Sequence, residues 1–228
     1  MRCFSKVRRL VVCVLFIFIV RSAYAEIYGG VEFPQGEISF ADAVVSYQPD
    51  AGGAIPDSAN SDPSNALGPP EVPGSTSVGA CTDTPSDCPF VSLGDGGNII
   101  LEFTDNLLSG SNNDDFDIWV FEVGPDIEDT YVEISKDNVT WYSVGKITGS
   151  TSGIDIDAFG FSSVDNFRFI KLIDDPSEGG QTGASVGADI DAVGAISTVE
   201  VTTEVVPIKF FALVLTFFAL FFLGVKKV

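Results

Sequence analysis

Two stretches of the chain pair aspartates around one isoleucine. "GADIDAVGAI" (187–196) holds Asp189 and Asp191, and "GIDIDAFGF" (153–161) holds Asp155 and Asp157. In a strand, residues i and i+2 project from the same face. Asp189 and Asp191 are therefore expected side by side, with Ile190 turned into the core. Adjacent carboxylates repel unless water or a cation lies between them. A hard cation such as calcium takes about six to eight oxygens, many of them from carboxylates. The chain offers 32 acids and no histidine, so any cation it holds is expected to be oxygen-bound. A solvated acidic face is the alternative. It is preferred for Asp155 and Asp157 and weighs equally with metal binding for Asp189 and Asp191.

The lack of histidine excludes Ser-His-Asp and Cys-His nucleophiles and every His-ligated zinc or iron site. A carboxylate-only enzyme is still allowed. Among so many acids, though, no pair is by itself a sign of glycoside chemistry. "NNDDFDIWVFE" (112–122) is a second acidic cluster. Asp117 and Glu122 are five apart, which puts them on opposite faces of a regular strand unless a bulge intervenes. Asp114 and Asp115 are explained by turn solvation. Trp119, Trp141 and Tyr142 are the aromatic candidates for stacking on a sugar ring. Trp141 and Tyr142 are adjacent, so one faces in and the other out, and packing between strands is the competing role for each tryptophan.

These residues need strands to position them, and strand signals recur at short spacing. "ISFADAVVSYQ" (38–48), "NIILEF" (98–103), "DIWVFEV" (117–123), "TYVEIS" (130–135), "TWYSVG" (140–145), "NFRFIKLID" (166–174) and "ADIDAVGAIS" (188–197) read as strands. "KDNV" joins two of them as a hairpin turn. The segment from Pro49 to Ser75 is rich in Pro, Gly, Ser, Asn and Asp, which is loop chemistry. No stretch between the two ends of the chain shows a helical period. The expected fold is a single all-β sandwich over 26–204, with Phe103, Phe121, Phe167 and Phe169 in its core.

The order of these pieces resembles a family of bacterial cell-surface proteins with a galactose-binding-like (discoidin-like) jelly-roll domain. The resemblance rests on "FADAVVSY", "NALGPPE", "VSLGDGGNIILEF", "DIWVFEV", "VEISKDNVTWYSVG", "FRFIKLID" and "GADIDAVGAI", in that sequence over about 40–197. The hairpin is similar to the family's V-x-V-S-x-D-G-x-x-W pattern, with Asn138 where glycine is usual. In jelly rolls of this kind the first and last strands often lie side by side. That would bring Asp42 of "FADAV" toward Asp189 and Asp191 and make the three a structural calcium site. The resemblance implies a fold far more firmly than a ligand, because such superfolds host many functions.

Both ends of the chain read as targeting segments. Residues 1–25 combine a basic start, the apolar run "LVVCVLFIFIV" and a small-x-small "AYA", as a cleaved export signal does. Residues 205–228 hold "FFALVLTFFALFFLGV" followed by Lys226 and Lys227. Those sixteen apolar residues make about 24 Å of helix, extended by Val205, Val206 and Ile208. A membrane helix with its basic end inside is expected. The tail resembles the sorting tails handled by exosortase-type (PEP-CTERM-like) enzymes, with "EVVPIK" in place of a Pro-Glu-Pro motif, which implies a sorting protease as a partner. Export also suggests a disulfide between Cys81 and Cys88, the two cysteines outside the signal.

Between the ends only Lys136, Lys146, Arg168 and Lys171 oppose the 32 acids, a formal charge of −28. Such a surface repels nucleic acid and attracts cations. The expected function is a non-enzymatic module, outside the cell and membrane-anchored, that binds carbohydrate or matrix polymer with a structural calcium. Trp119 and Trp141 are the ligand candidates. A carboxylate-dependent hydrolase of surface polysaccharide and a purely structural envelope protein are the alternatives.

Overall fold

The computed structural model describes residues 24–70, 89–123, 128–178 and 182–201. Cys81 and Cys88, most of the expected export signal and the tail from 202 onward lie outside the described residues. Among the described residues no helix is long and apolar enough to cross a membrane.

The chain forms β1 (Glu26–Tyr28), β2 (Val31–Phe33), β3 (Ala43–Gln48), β4 (Val91–Ser92), β5 (Asn98–Glu102), β6 (Asn106–Leu108), β7 (Ile118–Glu122), β8 (Thr130–Ser135), β9 (Trp141–Ile147), β10 (Thr151–Ile154), β11 (Phe169–Asp174), β12 (Asp189–Ala195) and β13 (Thr198–Glu200). Two antiparallel sheets dominate. One has the order β10-β7-β12-β4 and the other β3-β5-β11-β8-β9. All seven segments expected as strands contain one. The short pairs β1–β2 and β6–β13, and the edge strands β4 and β10, have too few residues or too many glycines and serines to show a period.

Alternation along the strands builds the core. Ile99 and Leu101 of β5, Val132 and Ile134 of β8, and Ile170 and Leu172 of β11 meet Ile118 and Val120 of β7 and Ile190 and Val193 of β12. Phe103 and Phe167 are fully buried in this same core. Phe121 is also buried but faces away from it, into a second cluster with Phe33, Phe40 and Ala192. The β1–β2 hairpin covers that outer face of the four-stranded sheet. Gly194 permits the cover, since a Cβ there would lie 2.5 Å from the Phe33 ring. Phe169 corrects the expected core: it alternates with buried Ile170 and is only half-buried, on the outer side of its sheet.

The start and the end of the domain do meet. Phe40 bridges Gly194, and the Ala41 amide donates to the Val193 carbonyl at 3.0 Å. The chain then crosses over, and the Asp42 amide already donates to Glu102 in the other sheet, at 2.9 Å. The β8–β9 turn is held as its sequence suggests. The Val139 and Thr140 amides donate to Asp137 Oδ1 at 2.9 and 2.8 Å. Asn138 takes a φ of 58°, the left-handed region that asparagine tolerates best among residues with a Cβ.

Candidate functional site

Strand β7 has a buried carboxylate at each end: Asp117 just before it and Glu122 as its last residue, 0% and 2% exposed. The face question raised by their spacing is thus superseded, because the two belong to different ends of the sandwich. Each gathers its own acidic neighbours.

At the entry to β7, Asp117 meets Asp155 and Asp157, which follow β10. One carboxylate oxygen from each of the three lies within 4.8 Å of the others. Pairing of β10 with β7 brings them together: Ile154 opposes Ile118, and the Asp117 amide donates to the Ile154 carbonyl at 2.8 Å. Backbone donors orient all three side chains. The Ile156 amide donates to Asp117 Oδ2 at 2.9 Å. The Ser111 and Asn112 amides donate to Asp157 Oδ2 at 2.8 and 3.1 Å, and the Asp157 amide donates to Asp155 Oδ1 at 2.9 Å. Asp117 Oδ1 is buried and accepts no hydrogen bond.

Burial raises the Asp117 pKa above the usual carboxylate range, and the Asp157 charge adds to this. The nearby Ser197 and Ser111 hydroxyls and the Ile156 amide act in the opposite direction. Asp155 and Asp157 are half-buried and open to solvent on one side. Two exposed aromatic residues lie close to the group in sequence. Phe116 and Phe159 are each 47% exposed, next to Asp117 and two residues after Asp157.

At the exit from β7, Glu122, Glu128, Asp189 and Asp191 are all at most 6% exposed. The Glu128 amide donates to Glu122 Oε1 at 2.9 Å, and the Ser92 hydroxyl donates to Asp189 Oδ1. Burial pushes the Glu122 pKa far up, and the Glu128 and Asp189 carboxylates push it further. Asp174 closes this end, accepting from the Gly96 amide at 2.8 Å and the Ala188 amide at 2.9 Å.

The residues singled out in the sequence fall as follows. Ile190 is in the core, as alternation requires. The register shifts at Asp191, with Ile190 opposite Glu122 and Ala192 opposite Phe121. Asp191 is therefore the extra residue of a bulge, and plain i, i+2 alternation does not relate it to Asp189. Asp42 is exposed, and its Oδ2 accepts the Thr104 amide at 2.6 Å in the crossover to the second sheet. Asp114 and Asp115 are exposed in the turn before β7, as expected.

Trp141 is half-buried beneath the Lys171 ammonium, 4.4 Å from its ring centroid, and Lys171 is also paired with Glu133. Trp119 is half-buried on the outer face of β7 and packs edge-on against Phe116 at 5.3 Å. Tyr142 packs against Phe161 and Phe167 at the border of the core. Trp141 is thus on the outer face, and Tyr142 shares the face of buried Val144 but stays 40% exposed at its rim. Sequence reasoning passed over Phe116 and Phe159. Their signal was an aromatic next to acidic residues, Phe116 between Asp115 and Asp117 and Phe159 two residues after Asp157.

No family model and no curated protein matches the chain. Among solved structures, the C-terminal domain of a chitobiase from Bacteroides fragilis is similar at 18% identity, with a TM-score of 0.31. The match covers 46% of this chain and 64% of that one, under two thirds of its length.

Proposed function

We propose that the chain is an exported, non-enzymatic module that binds carbohydrate or a matrix polymer at the cell surface. In this reading it has a galactose-binding-like jelly-roll domain, carries calcium and is anchored or sorted through residues 205–228. The observation that carries the binding role is the pair of exposed rings Phe116 and Phe159, one adjacent in sequence to Asp117 and the other two residues after Asp157. The polar loop Ser111–Asn112–Asn113 is tied to Asp157 by the Ser111 and Asn112 amides. A sugar ring has an apolar face that packs on aromatics and a rim of hydroxyls that needs donors and acceptors. These residues supply both kinds of group, whereas Trp141 lies under Lys171.

The geometry favours binding over hydrolysis. A glycosidase sets two carboxyls on either side of the scissile bond, about 5–5.5 Å or about 6.5–9.5 Å apart. Here Asp155 and Asp157 lie on one turn and brace backbone amides. Asp117, the member of this group whose pKa is raised as a general acid requires, has no exposure to meet a substrate.

The test is a glycan array probed with the purified full chain, with and without calcium. Retention of a defined glycan class is expected, weakened at least about tenfold, or about 1.4 kcal/mol, by Phe116→Ala with Phe159→Ala. An array without signal favours the structural envelope role. An unchanged signal in the double variant moves the site elsewhere.

A further inference from the structure

We infer that Asp117, Asp155 and Asp157 form a calcium site that clamps the loop before β7 to the turn after β10. The three oxygens lie within 4.8 Å of one another, the span across one ion whose bonds to oxygen are about 2.3–2.6 Å. Proximity of acids alone does not make a site, since acids also gather where water solvates them. Asp117 supplies the second observation. It is 0% exposed, and its Oδ1 accepts no hydrogen bond although it is an oxygen of a carboxylate. A buried polar atom without a partner costs about 1–3 kcal/mol, more if charged. A cation facing the neighbouring carboxylates removes that cost.

The remaining geometry is that of a prepared ligand set. Each carboxylate has one oxygen fixed by a backbone amide: Asp117 Oδ2 by Ile156, Asp155 Oδ1 by Asp157, Asp157 Oδ2 by Ser111 and Asn112. Among the described residues the other oxygen of each is left for an ion. Three carboxylates and no nitrogen or sulfur donor select a hard cation. The half-buried Asp155 and Asp157 leave room for water or a ligand hydroxyl to complete the shell. The site differs from the one expected at Asp42, Asp189 and Asp191, where Asp42 accepts the Thr104 amide and Asp189 the Ser92 hydroxyl.

This inference is independent of the carbohydrate reading, and calcium titration of the purified full chain without glycan tests it alone. Terbium reports through emission sensitised by Trp119, two residues from Asp117. Calcium is expected to displace terbium and to raise the melting temperature beyond what magnesium does at equal ionic strength. Asp117→Asn keeps an oxygen for the Ile156 amide and is expected to weaken calcium binding at least tenfold. Asp155→Asn, at a half-buried position, is expected to do the same and serves if the first variant does not fold. Asp189→Asn is expected to leave the affinity within about twofold. Equal response to magnesium, or unchanged calcium affinity in a folded Asp117→Asn or Asp155→Asn protein, overturns the site. So does loss of binding confined to Asp189→Asn.

Discussion

The two ends of strand β7 assemble acids in opposite ways. At its entry, Asp155 and Asp157 are half-buried, and amides from five residues brace the three carboxylates. At its exit, Glu122, Glu128, Asp189 and Asp191 are all buried, and Glu122 feels its acidic neighbours as well as burial. At the entry only Asp117 is fully buried, and the open sides of Asp155 and Asp157 leave room for a cation. At the exit burial and the neighbouring carboxylates together push the Glu122 pKa far up, toward the protonated form. Net acidity alone does not distinguish them. What decides is how many backbone donors point at the carboxylates and how much water reaches them.

The contrast makes its sharpest claim where two carboxylates have like partners and unlike burial. Asp174 at the exit end and Asp157 at the entry end each accept two backbone amides. Asp174 is 2% exposed, so Asp174→Ala leaves the buried Ala188 amide away from water and takes the partner of the part-buried Gly96 amide. At about 1–3 kcal/mol per unsatisfied group, a loss near 3 kcal/mol is expected in denaturant unfolding. Water can reach the partners of Asp157, and Asp157→Ala should cost about 1 kcal/mol in calcium-free buffer. Equal losses would mean that burial does not separate the two ends.

How much of this was legible follows from which interactions are local. The β8–β9 hairpin was readable because Ser135, Asp137 and Asn138 satisfy their own turn. The core facing of Ile99, Leu101 and Phe103 was readable from alternation alone. Phe169 was misplaced because Phe169 and Ile170 are both apolar, so pattern alone did not say which points inward. At the entry site Asp155 and Asp157 were visible as a pair, but Asp117 lies 38 residues before Asp155 and meets them only through β10, a strand of sequence TSGI with almost no period. The exit cluster was half legible. Asp189 and Asp191 were visible as a pair, but the bulge at Asp191 and the approach of Glu122 and Glu128 are tertiary facts.

A smaller effect is expected at the turn between β8 and β9. Asn138 holds a φ of 58°, where a β-branched side chain is strongly disfavoured. Asn138→Val should destabilise by about 1–2 kcal/mol, read as a lower midpoint in denaturant, while calcium affinity at the entry site stays unchanged. A fall in calcium affinity would show that the entry end is one mechanical unit reaching back to β8 and β9.

The smallest effect is the one that separates the two ends by charge state. Glu122 has a raised pKa in the folded protein, first because it is buried and then because of Glu128 and Asp189. The unfolded chain releases this proton near the ordinary glutamate value, about 4.3. Between that value and the raised one, the folded protein binds more protons than the unfolded protein. The contribution of Glu122 is therefore fully present in acid, and it declines as pH rises through neutrality toward the raised pKa. Glu122→Gln keeps an oxygen for the Glu128 amide and cannot ionise, so it should remove that decline. In calcium-free buffer the variant is expected to match the wild type near pH 4.5 and to exceed it by about 1 kcal/mol or more at pH 8, since a tenfold difference in proton affinity between the two states is worth about 1.36 kcal/mol. Thermal melts across that range decide it. If Glu122→Gln instead destabilises at pH 8, and calcium stabilises only the wild type there, the exit end holds an ionised cluster around a cation. The two ends of β7 would then be alike.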